Sequence, residues 1–177
     1  MKYFGKLAVS LVVGLASAQV ALAEATAFRI TLDTPPTHIR NIAVENFVDA
    51  LKTRAGDKLD VQVFHSGQLF KGNDVPKALA QGAVEMGFPV LGRLSRVVPD
   101  AGVADLPMFF GRSADEVHEV FDGPIGEKLN TKIEETMGVH VVGPYLDLGF
   151  ASLYSAETPI KSLAELKGLT MRVPGSP

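Results

Sequence analysis

The 177 residues include no cysteine and no tryptophan, and aromatic residues make up only 7% of the chain. Lacking thiols, the protein has no disulfide, no cysteine nucleophile and no Cys-ligated zinc or iron–sulfur centre. Positive charge is also in short supply, with 17 Lys+Arg against 20 Asp+Glu and a formal net charge of −3. No local Lys/Arg cluster offsets that balance, so nucleic acid is not an expected partner. The four histidines, His38, His65, His118 and His140, have no His-x-x-x-His or His-Glu-x-x-His spacing, and no metal site is expected. The phosphate-binding and nucleophile-elbow motifs are missing too: there is no Gly-x-Gly-x-x-Gly or Gly-x-Ser-x-Gly, and Gly67 to Gly72 is followed by Asn73 rather than Lys-Ser or Lys-Thr. No cofactor is implied. The acid pairs Asp74/Glu85 and Glu134/Glu135 read as solvated helix or turn charges rather than a glycosidase pair.

What is present is an ordinary globular composition, 46% hydrophobic and 21% charged, without repeats or low-complexity stretches. The N-terminus has its own pattern. Lys2 and Lys6 flank a short basic start, residues 7–18 are apolar and small, and Ala21-Leu22-Ala23 is an Ala-x-Ala cleavage site before Glu24. The apolar run contains Ser10, Ser17 and Gln19 and falls short of a membrane span. Residues 1–23 are therefore expected to be a secretory signal peptide cleaved after Ala23. The remaining 154 residues, 24–177, would be soluble and exported, with 15 Lys+Arg against 20 Asp+Glu and a net charge of −5.

The periodicity of the mature part predicts alternating strands and helices. Residues 28–32 alternate as a strand and stop at Pro35-Pro36, which cannot donate to a ladder. Ile39, Ala43, Val44, Phe47, Val48 and Leu51 then recur at helical spacing, with Gly56 as the stop. A second strand is expected over 59–64, a short helix after Gly72-Asn73-Asp74, and a third strand over 84–90. The apolar run 105–110 is expected to be buried. Ser113 with Glu116 forms a capping box for a helix to Phe121, and another helix runs over 125–137 to Gly138. His118 is expected on a charged helix face. Residues 139–143 read as a buried strand holding His140 as a satisfied core histidine, and alternation resumes over 145–154. A short helix over 163–166 and a final strand over 169–173 complete the pattern. Strands separated by crossover helices imply an α/β class with a mostly parallel sheet. A terminal strand without a covering helix leads to the expectation that the chain is truncated.

One charged residue interrupts an apolar strand. Arg172 lies between Met171 and Val173, just before Pro174-Gly175. Ligands of open α/β sheets bind beyond the carboxyl ends of strands, where an arginine fork matches a carboxylate bidentately. An outward-facing edge-strand arginine would give the same pattern, and position alone does not choose between them.

The segment Ile160-Lys161-Ser162-Leu163-Ala164-Glu165-Leu166-Lys167-Gly168-Leu169-Thr170-Met171-Arg172-Val173-Pro174 resembles the "pI-x-s-x-x-DLKG-x-x-x-Rvp" pattern of the dicarboxylate-binding (DctP-like) solute-binding proteins of tripartite ATP-independent periplasmic (TRAP) transporters. Phe64-His65-Ser66-Gly67-Gln68-Leu69, Gln81-Gly82-Ala83-Val84-Glu85-Met86 and Leu106-Pro107-Met108-Phe109-Phe110 resemble further segments of that family in the same order, over residues 28–177. Glu165 stands where the family usually has Asp. The resemblance implies a periplasmic-binding-protein-like (type II) fold, two hinged α/β lobes closing over an organic acid such as a C4-dicarboxylate. It also implies delivery of that acid to a TRAP membrane permease. Arg172 matches the arginine that pairs with the ligand carboxylate; Thr34, His38, Phe88, Pro89 and Ser152 match regions lining the cleft. Some relatives carry a second arginine near Ser152, and its absence here argues against a sialic-acid-like ligand. Family members are about twice as long as the mature chain. The domain assignment that follows is a signal peptide at 1–23, the first part of the N-terminal lobe at 24–145, and the crossover into a truncated second lobe at 146–177.

Two other functional classes fit the residues less closely. An exported hydrolase would use Asp33, His38 and His65 near the first strand ends and would turn over an ester or phosphate. A non-functional truncated fragment, or an interaction domain without a ligand, would show neither turnover nor a ligand-dependent melting shift.

Overall fold

The computed structural model describes residues 25–149, 152–156 and 158–171. The expected signal segment 1–23 and Arg172 lie outside the described residues. Among the described residues three parallel strands form a sheet in the order β2-β1-β3: β1 is Thr26–Thr31, β2 is Leu59–Phe64 and β3 is Met86–Gly87. β1 pairs with β2 from Thr26↔Leu59 to Thr31↔Phe64, and with β3 at Ile30↔Met86 and Thr31↔Gly87. Helix α1, Ile39–Ala55, makes the crossover that two parallel neighbours require, and α2, Val75–Ala80, makes the next one. The α/β class and the βαβ order expected from the sequence are both present. The third strand is much shorter than the expected 84–90: Pro89 cannot extend the ladder at its end, and before it the Arg29 amide donates to the Glu85 side chain at 2.7 Å instead of to a ladder. Gly87 also passes so close to α2 that an added Cβ would lie 2.8 Å from Val75 Cγ1.

Burial of α1 against the sheet makes the first core, formed by Ile30, Leu32, Val44, Val48 and Val61. The buried face of the helix differs from the expected stripe. Arg40, Asn41, Val44 and Val48 are buried, while Ile39 and Phe47 remain exposed at 60% and 36%. The helix is turned so that Arg40, one turn before Val44 and two before Val48, follows the buried row to the end of the sheet, where it finds polar partners.

The second core gathers Leu94, Val98, Ala101, Phe121, Leu129, Ile133 and Met137. It is built from two 3₁₀ segments, Leu91–Arg96 and Pro99–Asp105, and from helices α3 (Ala114–Phe121) and α4 (Pro124–Met137). The capping box is present: Glu116 N–H donates to Ser113 Oγ at 3.3 Å, and Ser113 N–H donates to Glu116 Oε2 at 2.8 Å. Gly138 ends α4 in the left-handed region, φ 66°. Phe121 stacks at a tilt on Phe109, 5.3 Å between centroids, and meets Tyr145 edge to face at 6.1 Å.

Beyond α4 the expected strands fail for one reason, which is that a strand needs a neighbour to pair with. Residues 139–143 form no strand: Val139 and Val141 lean on the second core, and Val142 is 66% exposed. The amide of Val141 donates to Glu134 Oε1 at 2.8 Å rather than to a ladder. His140 is an exposed side chain 2.7 Å from Glu134, not a core histidine, whereas His118 lies between Asp122 and Asp147 on the surface, as its charged helix face suggested. No strand forms at 145–149, 152–154 or 169–171, and 163–166 is a 3₁₀ turn. The run 105–110 is largely exposed, with Leu106, Met108 and Phe110 outside and only Phe109 leaning on the second core. Among the described residues no helix is long and apolar enough to cross a membrane.

Candidate functional site

The carboxyl ends of the three parallel strands converge on Asp33, Thr34, His65, Phe88 and Pro89, the edge at which open α/β sheets bind ligands. β1 delivers Asp33 and Thr34 one step beyond Leu32, a residue of the first core. The loop after β2 is stapled beside them: Gly67 N–H donates to the Leu32 carbonyl and Ser66 N–H to the Thr34 carbonyl, both at 2.9 Å. Ser66 and Gly67 turn through the left-handed region at φ 54° and 69°. That conformation costs Ser66 some strain and Gly67 none.

Asp33 is the centre of the site. One carboxylate oxygen accepts from Arg40 Nη2 and the other from Arg93 Nη1. Burial pushes the Asp33 carboxyl up, but hydrogen bonding to Arg93 and the charges of Arg40 and Arg93 outweigh it and hold the group below its ordinary range. Arg40, at 5% exposure, also donates through Nη1 to the Phe88 carbonyl at 2.8 Å and through Nη2 to Thr34 Oγ1 at 3.1 Å. It therefore ties α1 to the ends of both β1 and β3. Two guanidiniums against one carboxylate leave the cluster one positive charge in excess. Among the described residues the buried Nε atoms of Arg40 and Arg93 have no partner.

Gly72 closes the cluster from above. A Cβ there would fall 1.8 Å from Arg93 Nη1 and 2.3 Å from Asp33 Oδ2, so any other residue at this position would force the ends of the ion pair to shift. To one side, Asn41 is buried; its Oδ1 accepts from Thr34 Oγ1, and its Nδ2 donates to the Thr34 carbonyl at 3.0 Å and lies 2.8 Å from His65 Nδ1. His65 Nε2 lies 3.1 Å from Glu45 Oε1, an arrangement that suits Nδ1 as acceptor and Nε2–H as donor.

Of the residues singled out in the sequence, Thr34 stands inside this network. His38 caps α1, its Nδ1 accepting from the Arg40 amide at 3.1 Å. Phe88 offers its carbonyl to Arg40 while its side chain packs on the first core, and Pro89 follows, half-buried. Ser152 is exposed in the stretch after Tyr145, and Arg172 lies outside the described residues. The trio Asp33, His38 and His65 is not assembled as an acid–base relay: Asp33 holds arginines, His38 holds an amide, and His65 faces Asn41 and Glu45. Among the described residues no three His, Asp or Glu converge as metal ligands. Sequence reasoning missed Arg40, Arg93 and Asn41. Arg40 could have been found by its spacing, four residues before Val44; Arg93 carried only the weaker sign of a lone charge in the apolar run 88–94.

The pattern of the bacterial extracellular solute-binding protein family 7 (DctP) matches residues 32–177. The C4-dicarboxylate-binding periplasmic protein DctP of Rhodobacter capsulatus is 29% identical over 176 residues, covering 99% of this chain and 52% of its own. Among solved structures, a TRAP periplasmic solute-binding protein from Ochrobactrum anthropi superposes with a TM-score of 0.73 at 28% identity, over 88% of this chain and 48% of that one. Another, from Sulfitobacter sp. NAS-14.1 with bound β-D-galacturonate, gives a TM-score of 0.59 at 26% identity, over 63% of this chain and 37% of that one. The chain spans about half the length of the curated relatives it matches. The parallel βαβ sheet, the charged cluster at its carboxyl edge and a match running from Leu32 to Pro177 lead to one assignment: the chain belongs to the bacterial extracellular solute-binding protein family 7, the DctP family of TRAP receptors.

Proposed function

We propose that this protein is an exported receptor that captures a small organic acid, a C4-dicarboxylate or similar carboxylate, and delivers it unchanged to a TRAP-type membrane permease. The observation that carries this reading is the cationic cluster at the carboxyl edge of a parallel sheet, in a chain that belongs to a solute-binding family. In this reading residues 1–23 direct export and are cleaved after Ala23, and the mature protein works in the periplasm. Residues 24–145 contribute the first lobe, and 146–177 cross into the second. Arg172 forms the charge-assisted pair with the ligand carboxylate, while Thr34, His38, Phe88, Pro89 and Ser152 line the cleft; Arg93 and Asp33 join them on the strength of their geometry. Closure is favoured because the ligand makes more contacts with the closed lobes than with the open ones. The receptor binds its ligand without transforming it.

Calorimetry on the full-length protein tests the assignment. Organic acids should bind and raise the melting temperature, and Arg172→Ala should abolish binding. Unchanged affinity in that variant would remove Arg172 from the site, and turnover of an ester or phosphate would replace the receptor by a hydrolase.

A further inference from the structure

We infer that His65 is a positioning residue behind the binding wall: acting through Asn41, it sets whether the Thr34 hydroxyl presents an acceptor or a donor, and the choice follows the protonation of its ring. This rests on the receptor reading above, in which Thr34 lines the cleft, and adds a control to it.

The hydrogen bonds around Thr34 run in one direction, and Arg40 starts them. A guanidinium only donates, so the Thr34 hydroxyl accepts from Arg40 Nη2 at 3.1 Å and gives its single proton to Asn41 Oδ1. The Thr34 carbonyl only accepts, which fixes the Asn41 amide with Nδ2 facing that carbonyl at 3.0 Å. The second hydrogen of Nδ2 is directed at His65 Nδ1, 2.8 Å away. His65 Nδ1 is therefore bare, and the ring proton sits on Nε2, toward Glu45 Oε1 at 3.1 Å. In this state the Thr34 hydroxyl has committed its proton, and its remaining lone pair makes it an acceptor at the wall.

A protonated imidazole donates from both nitrogens, and histidine is the side chain whose charge ordinarily changes between about pH 5 and 8. The Nδ1–H of such a ring meets the Asn41 Nδ2–H head on, and neither group can retreat. Asn41 has no solvent exposure. The backbone at His65 is held on both sides, its carbonyl accepting from the Gln68 amide at 3.0 Å and the Ser66 amide donating to the Thr34 carbonyl at 2.9 Å. The relief left is a half-turn of the Asn41 amide, which presents Oδ1 to His65 and Nδ2 to the Thr34 hydroxyl. That hydroxyl then accepts from both Arg40 and Asn41, and its own proton is free to point at the wall as a donor. Glu45 on α1 gains a charged partner, which offsets the lost bond from Asn41 to the Thr34 carbonyl. Among the described residues no other charged side chain makes a polar contact with His65; Arg40, paired with Asp33, reaches it only through Thr34 and Asn41. A donor at the wall suits the oxygens of an organic acid, and a positive ring behind it acts in the same sense, so the acid binds more tightly as His65 takes up its proton.

Two measurements on the full-length protein test this. Nitrogen-15 NMR of the unliganded native receptor reads the network without any substitution. At about pH 8 the His65 ring proton should be on Nε2, and the Asn41 side-chain amide signals should move together with the ring as it titrates. A proton on Nδ1 at that pH, or an Asn41 amide indifferent to the titration, would overturn the inference. Calorimetry with succinate and with D-galacturonate reads the consequence against His65→Gln, which keeps an acceptor for Asn41 but does not titrate. From about pH 8 to about pH 5 the affinity of the native protein should rise about three-fold or more relative to that of the folded variant, the size of one hydrogen bond gained. The ratio cancels any titration of the acid itself. A ratio that stays constant with pH would overturn the inference and leave the receptor reading intact. Failure of these and other organic acids to bind at either pH, with the NMR result as expected, would overturn the receptor reading while the hydrogen-bond switch stood.

Discussion

Replacing Asp33 by alanine separates a buried ion pair that supports the fold from one that merely decorates it. The carboxylate holds two guanidiniums, and its removal affects them differently. Arg93, 19% exposed, can turn toward water. Arg40, 5% exposed and fixed at its other end by the Phe88 carbonyl, cannot do so without unpacking α1 from β1. Its Nε already lacks a partner, so Asp33→Ala leaves an uncompensated buried cation. Such a loss costs about 3–5 kcal/mol, a fall in Tm on the order of 10 °C. The effect depends on pH with a definite sign. The folded carboxyl is held below its ordinary value of 3.8, so its contribution is complete above about pH 4 and is lost as the pH falls through the lower folded value. Urea unfolding of the full-length protein and the variant at pH 7 should differ by the full amount, and the two curves should converge below about pH 4. A difference under about 1 kcal/mol at pH 7, or a gap that stays constant into acid, would refute the placement of Arg40 as a buried cation dependent on Asp33.

Two further substitutions probe the frame around the site. Gly72→Ala should cost about 1–3 kcal/mol by overpacking, because its Cβ would overlap Arg93 and Asp33; Gly143→Ala, where a Cβ meets nothing within 4 Å, is the neutral control in the same denaturation series. Ser113→Ala removes the reciprocal cap of α3 and should destabilise that helix by about 1 kcal/mol, seen as faster amide exchange over 114–121 with the first core unaffected.

Legibility in the sequence followed the range of the forces involved. β1, α1 and β2 lay within a residue or two of their predicted bounds because alternation and the proline stop are local. The capping box at Ser113 and the glycine stop at Gly138 were legible for the same reason. The failures turn on polar partners that hydropathy does not register. Residues 139–143 have the β-branched composition of a strand, yet the amide of Val141 goes to a glutamate of the preceding helix. Hydropathy assigned Ile39 and Phe47 to the buried face of α1, but Arg40 and Asn41 occupy it because Asp33, Thr34 and Phe88 satisfy them there. Position within an expected strand singled out Arg172, while Arg93, in a 3₁₀ segment 60 residues from its carboxylate, had only a lone charge in an apolar run to mark it.

Stability alone does not explain why the end of the first core is charged. Well-packed apolar residues in place of a buried ion pair are often neutral or stabilising, and the Val44–Val48 row of α1 could have continued with one more aliphatic residue. Arginine at position 40 instead links α1, β1 and β3 through three separate acceptors, and Arg93 brings the segment 91–96, at the edge of the second core, to the same carboxylate. The two cores thus meet at a junction whose geometry is set by directional bonds rather than by non-directional packing. A binding wall needs that property: the donors and acceptors presented at the sheet edge must keep fixed positions before the ligand arrives, or part of the binding energy goes into ordering them. The same junction that fixes the fold at the carboxyl edge of the sheet also fixes the chemistry offered there, one acceptor and one donor side by side with a positive excess behind them.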